Sequence, residues 1–460
     1  MSILFFEGFE TIGTELGIAN QASVRPRLDL RMPNSATNSG IPTADSVFLI
    51  DDTYSEGYAL QMGQDSFSSS NYLQWDVETM QAPGAAFDPY IIGCLVHIPI
   101  TTRSSDIVEV RGTFGDSGDG TGTETDVLHF GFVDSTDLII TRGNPGAFTL
   151  DTVLNVFTPG AWHYVEFRFL IAETVDGGIV EAWVDDTLVS STTGDTNNSM
   201  TTAATKIRFH NTVGTTTTDD FVGYDDIYIV WEGASPHTAR LGATRVRSLP
   251  PTSNVVGEFS GVTETTLATT LSGAAETQVD VGTGNIPADQ PATGTLKVEL
   301  DTGPFFTIAY TSHDSDGIFT TASTDWSNPA DATSGNDVHI LSGENWSLVD
   351  ENGADSADYV ETNVTNKRDR YSITNLTETG NVWAVKLEIE AINVEGGDPS
   401  LFLEVKSGAT VDSTEFTVDD QANYEVFSVL FEQDPNTAAD WLNADVDSMT
   451  AGFLFDNKVS

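Results

Sequence analysis

Short runs in which apolar and polar residues alternate, broken by Gly, Asn and Asp, recur along the whole chain. The run from Val382 to Glu390 shows the pattern plainly: Val382, Ala384, Lys386, Glu388 and Glu390 alternate with Trp383, Val385, Leu387 and Ile389. A repeat of two is the repeat of a strand with one buried face, whereas a helix needs a repeat near 3.6. Such runs bounded by turn formers can close only as sheets. The expectation is therefore an all-β chain with one short helix at Asn436 to Ala444. There Thr437 and Asp440 have capping-box spacing, with Asp in place of the usual Glu or Gln.

At 460 residues the chain exceeds a single core, and two to four domains are expected. Residues 1–233 carry ten or so strand patterns, among them SVFLID, YALQM, YLQWDVE, YIIGCLVHIPI, DIVEVRG, VLHFGFV, DLIITR, TKIRFHN and YDDIYIVWE. That number suits a large two-sheet sandwich. Residues 234–256, rich in Pro and Arg, read as a connector lying along a surface. Residues 257–341 have small residues and Thr-rich turns, as in a small β module that leans on its neighbours. Residues 342–460 read as a carboxy-terminal β-sandwich, one face of VWAVKLEIEA being apolar.

Between Gly160 and Asp186 lies GAWHYVEFRFLIAETVDGGIVEAWVDD, two strands around a turn. Alternation puts His163, Val165, Phe167 and Phe169 on one face and Trp162, Tyr164, Glu166 and Arg168 on the other. This hairpin, with the later FVGYDDIYIVW, resembles laminin-G-like, or concanavalin-type, jelly-roll domains. Trp183, Val184 and Asp185 match the family's hairpin partner, and Asp186 stands where the family has Gly. The order FFEGFE, DDIYI, LGATRVRSLPP, ENWSLVDE, VWAVKLEIEA, VKSG and FEQDPNTAADW resembles virion structural proteins of tailed bacteriophages, of the minor tail or fibre type. That resemblance implies a non-enzymatic structural component of a phage particle, tail- or fibre-associated, with a host-glycan-binding role. It implies other virion proteins as partners, a homo-oligomer with a trimer among the states, and a place in the virion after synthesis in the bacterial cytoplasm. A capsid decoration or cement protein is the alternative, and a polysaccharide depolymerase the outsider.

Charge narrows the partners. Sixty-nine acidic residues against 19 basic ones give a formal net charge of −50. Such a surface repels phosphate backbones and anionic headgroups, which argues against nucleic acid and membrane surfaces. Neither a signal peptide nor an apolar run of about 20 residues is apparent. The single cysteine, Cys94, excludes an intramolecular disulfide and reads as a small core residue.

No catalytic, cofactor or metal residues are assigned from the sequence, and the chain is not expected to be an enzyme. Laminarinase-like sandwiches carry Glu, Asp and Glu alternating on one strand, and the stretch Glu124-Thr125-Asp126-Val127-Leu128-His129 lacks the last acid. Calcium is the one ion the jelly-roll resemblance allows, at the acid pairs Asp51/Asp52, Asp185/Asp186, Asp219/Asp220 and Asp225/Asp226. Solvated turn acids are the simpler reading. Asp350-Glu351-Asn352-Gly353 does not have EF-hand spacing. His97, His129, His163 and His210 lie singly on strands, without His-Glu-x-x-His spacing, and read as hydrogen-bonded strand histidines. Arg25, Arg27 and Arg31, with Arg240, Arg245 and Arg247, would either dock on an acidic neighbour or pair within the chain.

Overall fold

The computed structural model describes residues 3–7, 47–52, 57–62, 71–76, 89–100, 102, 104–114, 123–143, 148–172, 177–196, 204–211, 222–233, 236–247, 249–257, 259–272, 276–286, 290, 292–321, 331–342, 349, 358–362, 364–377, 379–394, 399–419 and 424–456. The chain is all-β, and it divides into two compact units, Met1–Ser248 and Leu249–Ser460.

The first unit contains β1 (Ile3–Glu7), β2 (Val47–Asp52), β3 (Gly57–Met62), β4 (Asn71–Asp76), β5 (Tyr90–His97), β6 (Ser105–Phe114) and β7 (Thr123–Val133). It continues with β8 (Asp137–Arg142), β9 (Phe148–Val153), β10 (Trp162–Leu170), β11 (Gly178–Val184), β12 (Thr187–Gly194), β13 (Ala204–Asn211) and β14 (Val222–Trp231). An eight-stranded sheet runs β12-β11-β10-β5-β14-β3-β2, with β1 also on β14; a six-stranded sheet runs β4-β13-β6-β7-β8-β9. Every pairing between these strands is antiparallel.

The core forms because alternate residues of both sheets point at one another. Ile92, Cys94 and Val96 of β5 and Val165, Phe167 and Phe169 of β10 share one cluster with Val108 and Val110 of β6 and Leu128 and Phe130 of β7. Phe130 stacks on Phe167 at 4.4 Å between ring centroids. Cys94 is fully buried there, and burial pushes its thiol pKa up, as befits an inert core residue. The sequence reading does not assign β9 and β12. They are the adjoining edges of the two sheets, with mostly exposed or half-buried residues and therefore little alternation to read.

The second unit holds β15 (Pro251–Gly257), β16 (Ser260–Thr266), β17 (Gln278–Asp280), β18 (Gly294–Glu299), β19 (Phe305–His313), β20 (Ile318–Thr321), β21 (Asp337–Ser342) and β22 (Asp358–Glu361). It ends with β23 (Lys367–Ile373), β24 (Val385–Ala391), β25 (Ser400–Ser407), β26 (Thr410–Thr417), β27 (Glu425–Phe431), α1 (Asn443–Ser448) and β28 (Thr450–Asp456). The chain enters a five-stranded sheet, β15-β23-β28-β25-β26, at its edge. It leaves to build a seven-stranded sheet, β17-β20-β19-β18-β21-β16-β22, and returns at β23. The β24–β27 pair packs Phe427, Val429 and Phe431 into the same core as Leu401, Leu403 and Phe453 of the five-stranded sheet.

The expected helix at 436–444 is corrected to Asn443–Ser448. Asp434 captures the segment before it: its carboxylate accepts the Asn436 N–H (3.1 Å) and the Thr437 hydroxyl (2.8 Å). Thr437 is thus spent in an Asx-type turn rather than a helix cap. The cap is made later, where the Asp445 carboxylate accepts the Leu442 N–H at 3.1 Å.

Candidate functional site

The inward residues of the six-stranded sheet fix which ones face the other way. Val108 and Val110 enter the core, so Glu109 and Arg111 of β6 face outward. By the same logic His129 lies between core residues Leu128 and Phe130, Arg208 between Ile207 and Phe209, and Thr141 follows Ile140. Register then lines these up across four strands. Arg208 opposes Glu109, Glu109 opposes His129, and His129 opposes Thr141, with Gln74 and Thr149 at the next register positions on either side. Directly opposed residues on one face have Cβ atoms about 5 Å apart, so the row is continuous.

The contacts within it are ionic. Arg111 Nη1 lies 3.3 Å from Glu109 Oε1, and Arg208 Nη1 lies 3.7 Å from Glu109 Oε2. His129 Nδ1 is 3.3 Å from Asp106 Oδ2. A β-bulge between Asp106 and Val108 sets Asp106 opposite Gly131, beside His129, and bulges are a common means of re-aiming a side chain. Gly131 leaves room there: a Cβ at that position would come within 3.3 Å of Asp106 Oδ1. Glu109, His129, Thr141, Arg208 and Asp106 are all buried. Ion pairs shielded from water interact far more strongly than at a surface. A carboxylate beside Nδ1 helps to orient an imidazole, and guanidinium forks bind carboxylates and oxyanions; both ring nitrogens of His129 are buried.

The outer face of the eight-stranded sheet is covered from within the unit. Glu166 of β10 is fully buried and accepts bonds from Arg240 Nε (2.7 Å), the Gly242 N–H (3.0 Å) and the Tyr228 hydroxyl. Arg240 also donates to Asp186 (2.7 Å) and lies 4.9 Å over the Trp183 ring. Tyr164 and Thr244 hydroxyls are 3.1 Å apart, and Asp226 Oδ1 accepts the Val246 N–H at 2.8 Å. The connector thus crosses β11, β10 and β14 as a clasp. Arg240 pairs within the chain, as one of its two expected roles.

The other sequence candidates fall in different places. His163 Nδ1 pairs with Asp185 Oδ2 at 2.8 Å, and its Nε2 accepts the Thr158 N–H at 2.9 Å. His97 meets Trp162 edge-on at 5.4 Å. Asp225 and Asp226 are not solvated turn acids: both are buried, Asp226 at positive φ in a bulge of β14 whose backbone Asp225 caps. Asp51 and Asp52 end β2, Glu124 and Asp126 lie on β7, and His210 lies on β13 opposite Tyr72. Arg25, Arg27, Arg31, Asp219, Asp220 and Asp350 to Gly353 lie outside the described residues. Among the described residues no three His, Cys, Asp or Glu side chains gather as a metal site, and no helix is long and apolar enough to cross a membrane.

No family model matches the chain, and no curated protein matches it. Solved structures similar to it include an endo-β-1,4-glucuronan lyase from the fungus Trichoderma reesei, at 15% identity and a TM-score of 0.31, covering 43% of this chain and 94% of that one. A conserved carbohydrate esterase from the Shiga toxin-encoding bacteriophage phi24B has 17% identity and a TM-score of 0.29, over 40% and 86% of the two chains. The alginate lyase vAL-1 from Chlorella virus has 9% identity and a TM-score of 0.27, over 40% and 88%. These neighbours are carbohydrate-active enzymes by name, and the expectation of a non-enzymatic chain is corrected against them. That expectation rested on acid spacing along single strands. The polar row, by contrast, is assembled across β13, β6, β7 and β8 and has no linear signature.

Proposed function

We propose that the amino-terminal unit acts on a uronate-bearing polysaccharide, cleaving it by β-elimination at the row centred on His129. The observation that carries this reading is a single sheet face holding an Asp106-oriented imidazole beside two guanidinium groups. Elimination needs both: a cation on the sugar carboxylate to make the neighbouring carbon acidic, and a base to take its proton. Arg208 and Arg111 supply the first and the His129 imidazole the second, once the sugar displaces the groups that bury the row. The C5–H electron pair becomes the C4–C5 double bond, and the C4–O bond breaks. The leaving oxygen takes a proton from water, giving one unsaturated and one ordinary chain end. Hydrolysis by paired carboxylates fits less well, because Glu109 is already engaged as the counter-ion of both arginines.

The order of segments along the sequence supports a place on the tail or a fibre-like appendage of a tailed phage, as a homo-oligomer among other virion proteins, acting on a host surface glycan. The purified protein should release ultraviolet-absorbing unsaturated ends from uronate polysaccharides. His129→Gln should lower that release by roughly 100-fold or more while the protein stays folded. No release from any uronate polysaccharide by the unmutated protein would overturn the reading, and so would a His129→Gln variant that is folded and fully active. Mass spectrometry of purified particles tests the location.

A further inference from the structure

The seven-stranded sheet of the second unit packs Leu296, Val298, Ile308, Val338 and Ile340 into its own core. The residues alternating with these face away, and register brings several of them together. Thr307 of β19 opposes Lys297 of β18, Lys297 opposes His339 of β21, and His339 opposes Glu264 of β16. Tyr359 and Glu361 of β22 oppose Val262 and Ser260 on that same face. Three rings succeed one another across it: Phe305 lies 4.3 Å from His339, and His339 lies 6.5 Å from Tyr359. Phe305 is 41% exposed. Thr307 and Ala309, next outward on the same strand, are small and exposed, which leaves an open ledge beside the ring.

Polar groups are set between the rings. The Tyr359 hydroxyl donates to Glu264 Oε1 at 2.9 Å, His339 Nε2 lies 3.3 Å from that oxygen, and Lys297 pairs with Glu361. His339 Nδ1 makes no hydrogen bond among the described residues. Burial pushes the His339 pKa below the usual imidazole value, against the smaller opposing pull of Glu264. Flat rings alternating with hydroxyl, carboxylate and ammonium groups match a pyranose, which has an apolar C–H face and a rim of hydroxyls.

We propose that this outer face of the seven-stranded sheet binds a neutral polysaccharide. Charge selects the occupant. Among the described residues Lys297 is the one cation on this face, against Glu264 and Glu361, with Asp337 and Glu299 at its margin, so a carboxylated or phosphorylated chain is repelled. Sugar hydroxyls instead both donate to these carboxylates and accept from Lys297. The ring centroids follow one another at 4.3 Å and 6.5 Å, a track of roughly 11 Å at most, about the length of two sugar residues. The platform is separate from the His129 row and does not depend on the chemistry proposed there.

The test is affinity electrophoresis of the full-length protein in gels containing dextran, galactomannan or a β-glucan, with alginate as the acidic counterpart. At least one neutral polysaccharide should retard the protein. Phe305→Ala should weaken that retardation about tenfold, and Tyr359→Phe should weaken it less. His129→Gln should leave it unchanged, which separates this platform from the amino-terminal site. Retardation by no neutral polysaccharide, by alginate alone, or equally in Phe305→Ala would overturn the proposal. So would self-association of the protein that Phe305→Ala abolishes, since that would assign the face to a second copy of the chain.

Discussion

Gly93 shows how much a single position can decide. It lies in the middle of β5, and a Cβ there would come within 2.6 Å of Tyr228 Cζ and 2.8 Å of the Tyr164 hydroxyl oxygen. The missing side chain lets both tyrosines lie across the strand and hold Glu166, Thr244 and the Leu241 N–H. Gly93→Ala should therefore cost about 1–3 kcal/mol by overpacking, read as a lower denaturation midpoint. An unchanged midpoint would mean that the rings move aside freely. In the sequence, IIGCLVHI reads correctly as a buried strand, but nothing in it points to the two rings. His129 is similar: it reads as a lone strand histidine because Asp106 reaches it from another strand through a bulge.

At the scale of elements, alternation is a good guide at a strand such as β11, where buried and half-buried residues take turns. It failed at β9 and β12, where neither face is strongly buried. The β11–β12 turn is legible in another way: Asp185 and Asp186 both take positive φ, 49° and 62°, as a two-residue hairpin turn demands and as Asp tolerates. Asp186 then gains a role that Gly could not fill, receiving Arg240 of the clasp. The clasp itself makes a measurable prediction. Arg240→Ala strips the guanidinium from the fully buried Glu166 and should cost about 3 kcal/mol. Adding Glu166→Gln should recover much of that loss, because the stranded charge is gone. Simple additivity of the two substitutions in thermal unfolding would show that the clasp is held by packing alone.

For the molecule as a whole, a net charge of −50 is the dominant long-range fact. Several of the 19 cations are paired inside the fold, as Arg168 is with Glu181 and Glu232, and Arg368 and Arg370 are with Glu404. Excess carboxylates are left to repel one another. Salt shortens the screening length from about 30 Å at 0.01 M to about 8 Å at 0.15 M. The melting temperature should therefore rise with sodium chloride over that range. A fall would show that the ion pairs outweigh the general repulsion.

The sequence alone determined the class of structure, because strand alternation is a local property written in consecutive residues, and it determined the charge, because charge is a sum. It also marked the Trp162–Val184 hairpin as part of a two-sheet sandwich. Only the tertiary structure decided which polar residues meet. Arg208, Glu109, His129 and Thr141 share a row because three separate strand pairings set their register, and Phe305, His339 and Tyr359 form a track for the same reason. Register is fixed by the packing of the opposite, apolar face, so no spacing between these residues along the chain records their meeting.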